Sequence, residues 1–161
     1  MTNYRPPLAD IRLVLDEIAD IAAICELPDF EHVDPETGDG VLDELGRFVA
    51  EVVAPVNRIG DEEGCSVSDG VVTVPDAFGK AWDRYVESGW GAISQDPDYG
   101  GGGFPGTIQT VMTEMMATAS RAWSMETPSS SNNIRPGFIG AHQPSRAPLP
   151  LPIRTSAGFL V

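Results

Sequence analysis

A mainly α fold, with up to about five helices and an irregular C-terminal tail, is predicted by three observations. Apolar residues recur three and four apart through most of the first 125 positions. A single short stretch, residues 70–75, has the β-branched character of a strand. After Met125 all periodicity dissolves. The chain of 161 residues therefore divides into a helical domain over 1–125 and a Pro/Ser-rich tail over 126–161, expected to be disordered or extended.

The first helix is expected over 10–25, with Ile11, Val14, Leu15, Ile18, Ile21, Ala22 and Cys25 on one face. Pro6 and Pro7 fix an extended entry, Asp10 is positioned to cap the first turn, and Leu27-Pro28 ends the helix. Residues 30–40, with Pro35 and two glycines, read as a polar connector. A second helix follows over 39–56, with Val41, Leu45, Phe48, Val49, Val52, Val53 and Val56 in one stripe and Pro55 at its frayed end. Residues 57–68 carry turn chemistry and are expected as an exposed loop. Val71-Val72-Thr73-Val74 suits a small strand stopped by Pro75. The third helix starts at Pro75 or Asp76 and runs to Ser88, with Phe78, Ala81, Trp82, Tyr85 and Val86 inward and Gly89 as its left-handed cap. Four glycines, 100–103, precede the last helix, 107–124, whose apolar set is Ile108, Val111, Met112, Met115, Met116, Ala119, Ala122 and Trp123.

Charge excludes several partners. Residues 1–125 hold 7 basic and 23 acidic side chains, a formal charge of −16, whereas 126–161 carry +2. So acidic a surface repels the phosphates of nucleic acid and of anionic lipid, which are bound through Lys and Arg. Cys25 and Cys65 lack metal-ligand spacing; the first reads as core and the second as a loop thiol. Residues 1–10 lack the pattern of a signal peptide, and no segment reaches the roughly 18 apolar residues of a membrane span. A cytoplasmic protein is expected.

Few residues have the setting that catalysis needs. The four glycines invite a phosphate-loop reading, but no Gly-Lys-Ser/Thr follows and no buried strand precedes, so a flexible turn is expected. His32 and His142 stand alone and read as solvated loop residues, since a base or nucleophile needs a second group to orient it. Glu114 falls about 100° around the helix from its neighbours, on the polar face. The methionines 112, 115 and 116 read first as core, while their adaptability also suits the lining of an apolar substrate slot.

Four stretches occur together in a distinctive order: Tyr4-Arg5-Pro6-Pro7-Leu8-Ala9-Asp10; residues 48–58 with Gly60-Asp61 and Gly64; Tyr85-Val86-Glu87-Ser88-Gly89-Trp90; and Asp96-Pro97-Asp98-Tyr99-Gly100-Gly101. Over residues 2–125 the chain resembles the beginning of an acyl-CoA dehydrogenase, most closely the long bacterial branch that serves fatty-acid β-oxidation. The resemblance implies an N-terminal helical domain that packs against a middle β-domain and a C-terminal helical domain in a flavoprotein. In that family FAD lies between the later domains, a glutamate of the C-terminal domain removes the α proton, and the flavin takes the β hydride. The implied substrate is an acyl-CoA. Tyr99, Gly100 and Gly101, with Met112 and Met115 on the following helix, would lie near the acyl pocket. No catalytic, flavin-binding or metal-binding residue is implied within 1–125. The chain is thus expected to be a truncated, inactive fragment that binds no FAD by itself; the alternative is a helical interaction module that self-associates or docks onto a full-length relative or another protein. The family's usual Gly-Gly is extended here to four glycines with Phe104 after them, and the change of composition after Met125 is what translation in a shifted reading frame could produce.

Overall fold

The computed structural model describes residues 4–125. The expectations for the 126–161 tail and for His142 lie outside them. The described residues are mainly helical, with one two-stranded hairpin.

The single first helix is in fact two, α1 (Leu8–Glu17) and α2 (Ile21–Cys25). Asp20 makes the break: it adopts φ 49° and ψ 58°, and its carboxylate accepts from the Ala23 N–H at 3.3 Å. A short polar side chain tolerates this left-handed conformation because it bonds locally. Asp10 caps nothing and sits in the first turn of α1, next to the positive end of the helix dipole. The break also splits the expected stripe. Ile11 and Leu15 are buried, but Val14 and Ile18 are 49% and 78% exposed.

Helix α3 (Pro35–Phe48) begins four residues before its expected start, so Gly38 and Gly40 lie inside it. Pro35 opens the helix, where a missing N–H costs nothing. Asp34 caps it, accepting from the Thr37 N–H and hydroxyl, each at 2.8 Å. The Thr37 backbone bond, followed by the hydroxyl, holds the Asp34 carboxyl below the usual carboxylate range. A depressed value in the folded state stabilises the fold above the ordinary value of about 3.9 and ceases to do so as pH falls through the folded value. Asp34→Ala is therefore expected to lower stability at pH 7, and urea denaturation at pH 7 and pH 3 should show the gap from the parent narrowing in acid.

The chain stays helical through a π turn (Val49–Val53) and α4 (Ala54–Glu63). Pro55 does not end the helix. Its ring would clash with the carbonyl four residues back, and the wider π turn just upstream absorbs the clash and the missing donor. Residues 57–63, expected as loop, are helical until Gly64 at φ 64°. Gly60 is there for closeness: a Cβ would lie 2.6 Å from Cζ of Phe78.

The expected strand exists and has a partner. β1 (Ser66–Ser68) pairs antiparallel with β2 (Val71–Thr73), Ser66 opposite Thr73. Asp69 and Gly70, at φ 52° and 75°, supply the two positive values that a two-residue hairpin turn requires. Helix α5 (Asp76–Glu87) runs as expected to Gly89 at φ 73°, with Phe78, Ala81 and Tyr85 buried, but Val86 is 58% exposed.

The last expected helix divides at Ser120 into α6 (Gly106–Ala119) and α7 (Arg121–Ser124). The Ser120 hydroxyl accepts from the Trp123 N–H at 3.4 Å and so caps α7. Ala122 faces solvent, whereas the other expected apolar positions are buried. α6 packs on the π turn and α7 on α4, closing a single core around Leu45, Val49, Val53, Met112, Met115 and Trp123.

Candidate functional site

A short 3-10 turn (Pro97–Tyr99) delivers the chain to the four glycines. The Asp96 carboxylate fixes its entry by accepting from the Asp98 N–H at 2.9 Å. Tyr99 is 75% exposed, and Gly100 follows at φ 83°. From there the backbone folds onto the segment before it: Gly100 N–H donates to Pro97 O, Gly101 to Asp96 O, Gly102 to Ala92 O, Gly103 to Gln95 O and Phe104 to Ile93 O, all between 2.9 and 3.1 Å. A Cβ on Gly101 would lie 2.2 Å from the Gln95 carbonyl oxygen, and one on Gly102 2.6 Å from that of Ile93. The expected flexible turn is a closely packed one. Because each N–H already points at a carbonyl of the same chain, the turn forms no phosphate cradle.

Two side chains from outside the turn tie it down. His32, expected as a solvated loop residue, is exposed, yet its Nε2 lies 3.3 Å from Gly102 O and it crowds the α carbon of Gly103. Gln109 is buried and accepts from the Ser94 hydroxyl at 3.2 Å, joining the segment before the turn to α6. The spacing 109, 112, 116 placed Gln109 on the core face of its helix all along. No sequence signal pointed to His32, which comes from 70 residues away.

Met112 and Met115 are 2% and 1% exposed and belong to the core beneath α6. The structure thus places the five expected site residues in two groups. Tyr99, Gly100 and Gly101 form a surface turn, and Met112 and Met115 form the interior of the helix that the turn leads into. Behind them Phe48, Tyr85, Trp90 and Trp123 pack ring on ring, with Tyr85 to Trp123 at 5.8 Å and Phe48 to Trp90 at 6.1 Å. Burial pushes the Tyr85 hydroxyl up from its ordinary value. The Trp90 indole N–H is buried without an acceptor among the described residues.

Two concavities lie away from the turn. One, about 620 Å³, runs between the segment entering α1 and the side of α3 that carries Gly46 and Arg47. The other, about 160 Å³, is enclosed by α1, α2 and α3 around Arg12 and Cys25. Arg12 is held there by Asp39 at 2.8 Å and Asp43 at 2.9 Å, which raise its already high pKa. Burial raises the Cys25 thiol, so the reactive thiolate is disfavoured, and Cys65 is exposed. Glu114 is exposed, as its helical position predicts. Among the described residues no group of three or more His, Cys, Asp or Glu is placed to hold a metal ion, and no helix is long and apolar enough to cross a membrane.

No family model matches the chain. It is similar to the 3-methylmercaptopropionyl-CoA dehydrogenase of Ruegeria pomeroyi, 28% identical over 123 residues, which are 76% of this chain and 21% of that protein. The chain therefore spans well under a quarter of the length of the relative it matches. The similarity supports a dehydrogenase-like ancestry, and the helical architecture is consistent with it.

Proposed function

We propose that this chain is the N-terminal helical domain of an acyl-CoA dehydrogenase-like protein of fatty-acid β-oxidation and that it walls the acyl pocket without performing the chemistry. The observation that carries the reading is the similarity to an acyl-CoA dehydrogenase across 76% of the chain. Dehydrogenation beside a thioester carbonyl takes a flavin to accept the hydride and a positioned base to take the proton. The glycine turn offers no cradle for the diphosphate of a flavin, because its N–H groups are spent on its own carbonyls. Tyr99, Gly100 and Gly101 instead form a rigid rim, and Met112 and Met115 back the wall with apolar bulk that keeps water from a reacting acyl chain.

Two measurements test the proposal. The purified 161-residue chain is expected to be colourless and inactive toward acyl-CoA; bound flavin or turnover would overturn it. Grafted in place of the matching 123 residues of the Ruegeria enzyme, this domain is expected to give a yellow protein that reduces an electron acceptor with an acyl-CoA. A folded, flavin-loaded graft without turnover would reject the assignment.

One observation favours a second reading, a helical interaction module. Leu13 and Val14 of α1 and Ile18 just after it are 60%, 49% and 78% exposed, an apolar surface of the kind that invites docking or self-association. Elution of the chain as a clean monomer would argue against it.

A further inference from the structure

The larger cleft has a chemistry unlike the rest of the molecule. Residues 1–125 carry a formal charge of −16 with 7 basic side chains, and two of those, Arg5 and Arg47, line this one cleft. Neither is locked. Arg5 makes no ion pair among the described residues, and Arg47 meets only Glu44, at 3.0 Å with both side chains 60% exposed. Exposed pairs of that kind contribute little, so the guanidinium turns to a better acceptor at small cost. Arg12, by contrast, is held by two carboxylates.

Part of the cleft's lining is apolar. Pro6, Leu8 and Ala50 form it, and Leu8 closes its base by packing on Gly46, where a Cβ would come within 3.0 Å of Leu8 Cδ1. Ala50 and Glu51, from the π turn, line the same cleft. Glu51 therefore adds a fixed negative charge, which penalises any ligand carrying a second one. The cleft is open, and its volume of about 620 Å³ admits a short amphipathic molecule.

We propose that this cleft binds an amphipathic monocarboxylate, its carboxylate between the guanidiniums of Arg5 and Arg47 and its apolar chain along Pro6, Leu8 and Ala50. A carboxylate suits the planar fork of arginine, which donates two parallel hydrogen bonds to it. Inorganic phosphate can meet the same two guanidiniums, but it has no apolar part to lie along Pro6, Leu8 and Ala50, and its second charge adds to the repulsion from Glu51. The proposal stands apart from the enzymatic reading, because it involves neither flavin nor acyl-CoA.

Titration of the full chain with hexanoate, followed by amide chemical shifts, tests it. Saturating shifts are expected at Arg5, Leu8, Arg47, Ala50 and Glu51, with hexanamide and inorganic phosphate each binding about tenfold more weakly. Arg5→Gln and Arg47→Gln are each expected to weaken hexanoate about tenfold, and Glu51→Gln to strengthen both hexanoate and phosphate about threefold. All three side chains are exposed, so unchanged circular dichroism and Tm will confirm the fold of each variant. Absence of saturation in the tens of millimolar, equal binding of hexanamide, or indifference to both arginine variants would overturn the proposal.

Discussion

Trp123→Ala is expected to remove about 3–5 kcal/mol of stability, the range for emptying a large buried aromatic site. Trp123 is 0% exposed, stacks edge-on to Tyr85 at 5.8 Å and donates its indole N–H to the Phe78 carbonyl at 3.2 Å. One side chain thereby ties the four-residue helix α7 to α5 across 45 positions of sequence. Small domains carry only about 5–15 kcal/mol in total, so the variant should unfold at markedly lower urea. Trp123→Phe keeps an aromatic ring but loses the indole N–H bond to Phe78 and leaves a smaller void, and a smaller loss of about 1–3 kcal/mol follows. Urea denaturation monitored by far-ultraviolet circular dichroism ranks the two. A Trp123→Ala midpoint close to the parent's would mean that α7 is not part of the cooperative core.

Gly101→Ala is expected to cost about 3 kcal/mol, at the upper end for forcing an atom into a packed site. The added carbon would lie 2.2 Å from Gln95 O and 2.3 Å from Gln95 C, both backbone atoms that cannot swing aside. Relief requires breaking the bonds from Gly101 to Asp96 and from Gly103 to Gln95 that fold the turn. The neighbouring Gly100 provides the control. It has φ 83° but nothing within 4 Å of a Cβ, so Gly100→Ala should cost only the left-handed penalty of about 1–2 kcal/mol. Thermal unfolding of the two variants should separate them. Equal losses would show that the backbone around Gly101 relaxes to admit a Cβ at small cost.

The turn also illustrates how far the site was legible. Tyr99, Gly100 and Gly101 stand out by their order after Asp96-Pro97, and the methionine stripe stands out by its helical period. That the glycines are packed tight was not legible, because their neighbours, Ile93 and Gln95 on one side and His32 on the other, are defined only once the chain folds back. The helix boundaries erred for a related reason. Pro35, Gly38 and Gly40 read as breakers, yet they occupy a well-capped helix whose Leu42 and Leu45 are buried, and the burial outweighs the local cost. Gly60 misled in the same way: what looks like a turn signal is the space left for the Phe78 ring.

From the sequence by itself came the mainly helical class, the amphipathic faces of α3, α5 and α6, the strand at Val71 and the acidic character of residues 1–125. Each of these depends on spacing along one segment or on a sum over residues, and neither requires knowledge of a neighbour in space. Only the tertiary structure decided that Asp20 divides the first helix, that the helix runs on through Pro55 by widening to a π turn, and that Arg5 and Arg47 share a cleft. Those outcomes depend on which distant segments compete for the same volume, and volume is a property of the folded chain alone.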